Sequence, residues 1–378
     1  MPRPLRALVV LTAPPLPEGN AQGRCAVALL RGLRGHGIDV QAIAAVRSHS
    51  IPGEVPDDLD VELVPVTPPP RGLSTQLNRL RRPRGELRGA FAARVRELAQ
   101  TADVVHLDET EAAWCDEGVD VPSVVHVHYL VRHDQDLGAP WTKGFRHVAE
   151  YALAERAAAR RHRHLVASSP VVAAGLHALA PGAEITLAPL SVDPRYYEPA
   201  PLDGPPVAGL VGAGFWPPTQ TAIRRLVTHI WPRVLERVPE ARLLVAGRST
   251  AAIPDLHAGS GVELVGEVPS AAEFLRGLSL LLYPVPRGSG MKVKVLETLA
   301  AGVPVVTTRF GAEGIEAGAG VIVADDDDAL VAAAVALLED PARRRAAGDA
   351  ARELFLQRYA PAPATEPLVR LYERMRRA

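Results

Sequence analysis

Between residues 284 and 316 the chain reads PVPRGSGMKVKVLETLAAGVPVVTTRFGAEGIE, and the side chains most able to do chemistry crowd into this stretch. Gly288, Ser289 and Gly290 make a glycine turn, followed by Met291, Lys292, Lys294 and Glu297. Glycines let backbone N–H groups approach a ligand closely, and the N–H groups that open a helix attract phosphate. Two lysines at a helix start oppose the macrodipole, which favours negative charge there. Their placement makes sense if an anion binds at the turn. Glu297, one turn further on, suits hydrogen bonding to sugar hydroxyls. The bland reading of the same residues is a solvated helix face with scattered charges.

Regular elements must position these groups. An apolar run at 280–283 precedes the turn, and Met291, Val295, Leu296, Leu299 and Ala300 fall on one helical face. Gly302 stands where a C-terminal stop belongs, and 303–306 reads as a fully buried strand. Strand, glycine turn, helix and strand form a βαβ unit with its glycines at the phosphate-binding position.

The segment GSGMKVKVLETLAAGVPVVTT resembles the nucleotide-sugar segment of the family 4 retaining glycosyltransferases, which have the GT-B fold. The closest subgroup carries G-x-G-x-[KR]-x-K-x-x-E followed by A-x-G-x-P-V-V-x-T. The resemblance implies that the turn and helix start hold a donor diphosphate and that Glu297 binds the ribose. Many members have a further glutamate eight residues earlier, against the donor sugar; here Ser289 occupies that position. Glu313, in the turn G-A-E-G-I at 311–315, either contacts a substrate or belongs to a plain turn.

The rest of the chain bounds the reading. Its 378 residues suffice for two domains, 47% hydrophobic content supports sizeable cores, and a net charge of −1 gives no field for nucleic acid. Cys25 and Cys115 form no C-x-x-C pair, which argues against a disulfide framework or cysteine zinc site and fits a reducing, cytoplasmic setting. No run reaches membrane-spanning length.

In chain order, a strand at 5–11 leads into the loop P-E-G-N-A-Q-G-R and a helix from 23 to 35, with a second strand at 38–46. Gly19, Asn20, Gly23 and Arg24 are candidates for a phosphate or acceptor loop, since loops at the carboxyl ends of parallel strands form the binding crevice. Arg79, Arg81, Arg82, Arg84 and Arg88 read either as a solvated helix or as contact with an anionic acceptor or membrane surface. Strands at 103–107 and 121–129 follow. His126 and His128 share a strand face, and no nearby carboxylate–histidine set completes a metal site, so no metal is expected. The resemblance assigns a sugar-facing histidine to this strand end, which His128 fits.

Residues 141–163 read as a helix, and ITLAPLSVDPRYY resembles the family's turn closing the N-terminal domain. The predicted organisation is an acceptor domain at 1–197, a Pro-rich linker at 198–206, a nucleotide-sugar domain at 207–360, and a helix at 361–378 returning to the first domain. The fold class is α/β, GT-B: two Rossmann-like domains facing across a cleft. Gly214 and Arg248 lie in crevice loops of the second domain. An Arg and Lys pair that many family members carry there is missing, which places the phosphate burden on Lys292 and Lys294.

The implied function is retaining, metal-independent sugar transfer from a nucleotide-diphospho-sugar co-substrate to a glycan, lipid-linked or natural-product hydroxyl, with His128 and Lys294 catalytic and no other cofactor. A nucleotide-sugar 2-epimerase and a non-catalytic nucleotide-sugar-binding relic are the alternatives.

Overall fold

The computed structural model describes residues 3–47, 53–67, 87–254 and 256–377. The chain divides into two compact units, Met1–Ser191 with Pro361–Ala378, and Val192–Ala360.

In the first unit seven strands form one sheet in the order β3-β2-β1-β4-β5-β6-β7. These are β1 (Arg6–Leu11), β2 (Asp39–Val46), β3 (Val61–Pro65), β4 (Val104–Asp108), β5 (Ser123–Val127), β6 (His164–Ala167) and β7 (Glu184–Leu187). Every pairing is parallel. The central strands β1, β4 and β5 are covered on both faces, so burial runs along them without alternation; β1 is apolar from Ala7 to Leu11, while β4 and β5 carry His106, Asp108 and His126 into the buried layer. Helix α1 (Ala21–Gly35) begins two residues before the expected start because Asn20 caps it, accepting from Gly23 N at 2.9 Å. It ends where Gly37, at φ +76°, bonds back to Arg34 O at 2.9 Å.

The second unit has six strands, β8 (Val207–Val211), β9 (Arg242–Ala246), β10 (Val262–Gly266), β11 (Leu280–Tyr283), β12 (Val305–Thr307) and β13 (Val321–Val323). Their order is β10-β9-β8-β11-β12-β13, again parallel throughout. Helix α2 (Val293–Ala300) connects β11 to β12. Strand β12 starts two residues later than the apolar run suggests, because Val303 N bonds Thr298 O at 3.0 Å and still closes the helix.

The boundary between units falls at 191/192 rather than at 197. Tyr197 belongs with the second unit: its hydroxyl donates to Glu297 at 2.7 Å, and Arg352 donates to its carbonyl at 2.9 Å. Residues 198–206 are Pro-rich yet fastened, with Ala200 N bonded to Ala301 O and Leu202 buried.

The last helix, α3 (Pro361–Arg377), belongs to the first unit and lies on α1. A Cβ on Gly32 would stand 2.5 Å from Pro361 O and 2.6 Å from Thr365 Oγ1, so the close approach depends on glycine there. Gly32→Ala is expected to lower stability by about 1–3 kcal/mol through overpacking. It should also expose residues 361–377 to limited proteolysis; an unchanged midpoint and digestion pattern would disprove the tight contact.

Candidate functional site

In the second unit the glycine turn runs from the end of β11 into α2. Gly290 sits at φ +67°, a left-handed conformation that glycine adopts without strain. Lys292 is the residue immediately before the helix rather than part of its first turn, and its Nζ donates to Ser289 O and Gly290 O, each at 2.8 Å. It therefore shapes the turn. Among the described residues no side chain caps α2 and no acidic residue stands in its first turn, so the polarity of its opening N–H groups suits an anion.

Lys294 places a second amine near the turn. Its Nζ donates to Thr219 Oγ1 at 3.1 Å and lies 4.3 Å from the centre of the Tyr283 ring. Gly212, at the end of β8, makes room for it: a Cβ there would be 2.6 Å from Nζ. Burial pulls the Lys294 ammonium down to about 7, with Lys292 adding repulsion and Glu297 partly offsetting both. A lysine held so far below its ordinary value gains from an arriving anion.

The remaining expected donor residues have visible structural partners. Glu297 is buried and accepts the Tyr197 hydroxyl, tying α2 to the segment after the unit boundary. Gly214 packs against the backbone of Ser249, where a Cβ would be 2.5 Å from a carbonyl oxygen. Arg248 is exposed and bonds Glu267 at 3.2 Å. Gly288, Ser289 and Met291 are buried in the turn, while Glu313 is half-buried beside Gly314.

In the first unit Gly19, Asn20, Gly23 and Arg24 build the loop itself. Asn20 is the helix cap, Arg24 donates to Gly19 O, and Cβ atoms at Gly19 or Gly23 would press on Leu16 and on Pro14 O. Of the basic cluster, Arg79, Arg81, Arg82 and Arg84 lie outside the described residues.

The histidines meet a partner set that their local spacing concealed. Parallel register places Asp108 of β4 opposite His126 of β5. Asp108 Oδ1 is 2.9 Å from His128 Nε2, 3.8 Å from His126 Nδ1 and 3.9 Å from His106 Nε2. His106, Asp108 and His126 thus form a carboxylate–histidine cluster dense enough for a cation, contrary to the sequence reading. Its one carboxylate is already engaged by His128. Tyr372 Oη is 2.6 Å from His106 Nδ1 on the far side.

Glu109 closes the other edge of His128, with Oε1 3.4 Å from Nδ1. Its backbone sits at φ 74°, ψ 160°, a region that is essentially glycine's and costs a side-chain-bearing residue about 1–3 kcal/mol. Backbone and side-chain bonds hold it there: its N–H donates to His126 O at 3.0 Å, and Oε2 accepts from Thr12 at 3.0 Å and from Gln22. Burial alone would push the His128 ring down; the charge and hydrogen bonds of Asp108, then Glu109, overcome it and hold His128 at about 10. Asp108 is held well below the carboxylate range, since His128 outweighs its burial, whereas burial pushes Glu109 up. His126, more deeply enclosed, is driven well down by burial and by the charges on His128 and His106.

Two all-parallel α/β units in one chain, the second with a glycine turn and an uncapped helix beside a half-buried lysine, define a GT-B protein. The model of group 1 glycosyl transferases matches residues 205–340, and that of the glycosyl transferase 4-like domain matches residues 20–191. The chain belongs to family 4 of the glycosyltransferases. No curated protein matches it by sequence. Among solved structures it is similar to Anabaena HepE in complex with UDP and glucose, at 15% identity and TM-score 0.66, over 97% of this chain and 99% of that one. Sucrose-phosphate synthase from Thermosynechococcus elongatus matches at 15% identity and TM-score 0.69, over 98% and 99%. A glycosyltransferase from Rickettsia africae matches at 13% identity and TM-score 0.65, over 99% of both chains. No helix among the described residues is long and apolar enough to cross a membrane.

Proposed function

We propose that this glycosyltransferase is a retaining, metal-independent enzyme that moves a sugar from a nucleoside diphosphate to a hydroxyl-bearing acceptor. The observation that carries this reading is the Lys294 ammonium, half-buried beside the uncapped start of α2 and held well below its ordinary value. Breaking the bond between the anomeric carbon and the phosphate oxygen puts negative charge on the diphosphate. Lys294 and the N–H groups of the turn and helix stabilise that charge, a preorganised arrangement that replaces a metal ion. The acceptor oxygen bonds the anomeric carbon on the face the diphosphate leaves, and its proton passes to the departing phosphate oxygen. Glu297 binds the ribose, and His128 donates to a sugar hydroxyl. The structures of HepE with UDP and with UDP-glucose support uridine nucleotides as first probes. The two thiols, both buried and unlinked, suit work in the cytoplasm.

A thermal-shift panel of UDP, UDP-glucose and the guanosine, adenosine and thymidine counterparts tests the reading. Saturation at 100 to 1,000 times Kd stabilises by roughly 3–4 kcal/mol. One nucleotide series should raise the midpoint, and the anomeric configuration of the product by NMR should match the donor's. No shift with any nucleotide would refute donor binding; an inverted product would refute retention.

A further inference from the structure

Both ring nitrogens of His128 face carboxylates, Nε2 toward Asp108 and Nδ1 toward Glu109, yet the two contacts differ. The 2.9 Å bond to the buried Asp108 is a firm anchor, whereas the 3.4 Å approach to Glu109 is long for a charged pair. Glu109 Oε2 is already occupied by Thr12 and Gln22, which turns Oε1 toward the open edge of the ring. The Glu109 side chain is 18% exposed and that of His128 9%, so this edge meets solvent while Asp108 does not. A strained backbone kept in place by three separate hydrogen bonds is a feature that stability alone does not call for.

We propose that Glu109 is a substrate-binding residue: its Oε1 and the Nδ1–H of His128 form an acceptor and donor pair that reads one hydroxyl of the transferred sugar, with Asp108 anchoring the opposite ring nitrogen. A hydroxyl inserted between them accepts from Nδ1–H and donates to Oε1, replacing one long contact by two short ones. The pair requires both ring nitrogens of His128 to carry protons. The other titratable groups facing the ring are His126, at 4.7 Å between ring centres, and His106 behind Asp108. The pair deepens the proposed transfer reaction and rests on it.

The test compares UDP and UDP-glucose, with the other nucleotide series of the panel if it selects one, on wild type, Glu109→Gln and Glu109→Gly by calorimetry. Wild type should bind the nucleotide-sugar more tightly than the bare nucleotide. Both variants should keep nucleotide affinity within about twofold and lose about tenfold or more of the sugar-dependent gain. Glu109→Gly, which relieves the backbone strain, should keep or raise the unfolding midpoint, whereas a purely structural Glu109 would make it fall. Nitrogen NMR of labelled histidine should find both His128 nitrogens protonated at about pH 8, and one of them bare in Asp108→Asn. A neutral His128 in wild type, no sugar-dependent gain in wild type, or a gain untouched in Glu109→Gln would each overturn the pair. Failure of the bare nucleotide to bind would instead refute the transferase reading beneath it.

Discussion

Lys294→Met is expected to lower turnover by about 10³-fold, the size of effect seen when one preorganised charge at a developing anion is removed. Methionine keeps a stem of similar length and removes the ammonium with its contacts to Thr219 and the Tyr283 ring, so the fold should persist. The sign of its pH behaviour follows from the direction of the shift. Lys294 titrates at about 7 instead of 10.5 because burial and Lys292 oppose its charge. The unfolded chain therefore binds more protons than the folded one between those two values, and wild-type stability should rise as pH climbs through that window. Nucleotide binding does the reverse. A diphosphate restores the charge, so binding takes up a proton above about pH 7 and affinity falls by up to roughly tenfold per pH unit. Calorimetry in buffers of different ionisation enthalpy reads that proton directly. Lys294→Met should bind weakly and without proton uptake. Lys294→Arg keeps a charge that cannot be lost, but its wider head does not fit beside Gly212. Nucleotide affinity in wild type that is level from pH 7 to pH 9 would defeat this account of the site.

Much of the fold and of the local build of the candidate donor site is legible in the sequence, and the reason is physical. Strands buried on both faces are apolar at nearly every position, so β1 and β11 announce themselves as runs. The glycine turn, the lysines and Glu297 are close together along the chain, and local sequence holds all the information their placement needs. What stays hidden depends on register between distant segments. Asp108 and His126 are brought together by strand pairing, and nothing local to either residue reports it. Gly212 takes its meaning only from the Lys294 amine that fills its missing side chain. Conversely, Asn20 and Gly23 read as ligand-binding because a polar glycine loop after a strand is common to both purposes; here the asparagine caps a helix. Composition also misleads at 198–206. Proline-rich segments serve as linkers, but whether one is fastened depends on a partner far away in sequence.

That partner is Arg344, and its replacement should cost the second unit more stability than the loss of any other single hydrogen-bonding side chain described above. The guanidinium is enclosed, at 1% exposure for the residue, and spends its donors on four carbonyls. Nε bonds Leu202 O at 2.9 Å and Nη2 bonds Gly204 O at 2.9 Å, which straps the segment after the unit boundary. Nη1 bonds Leu337 O at 3.3 Å and Leu338 O at 3.1 Å, which closes the helix ending there. Burial pulls Arg344 below the ordinary arginine value, so the charge is held at a cost that these bonds must offset. Arg344→Ala leaves four carbonyl acceptors without their donor and a cavity where the stem ran. The expected loss is roughly 3–5 kcal/mol, since bonds to charged groups count for more than neutral ones and buried acceptors left unpaired add their own penalty. For a unit of this size that corresponds to a midpoint lower by about 10 °C. Arg344→Lys keeps the charge but brings three donors from one point, so it should recover only part of the loss. Hydrogen exchange should locate the damage in residues 198–206 and the last turn of the helix ending at Leu338 (Asp327–Leu338), with β1 and β2 of the other unit protected as before. A loss under about 1 kcal/mol, or exchange spread evenly over both units, would mean that the strap is held by something other than this one side chain.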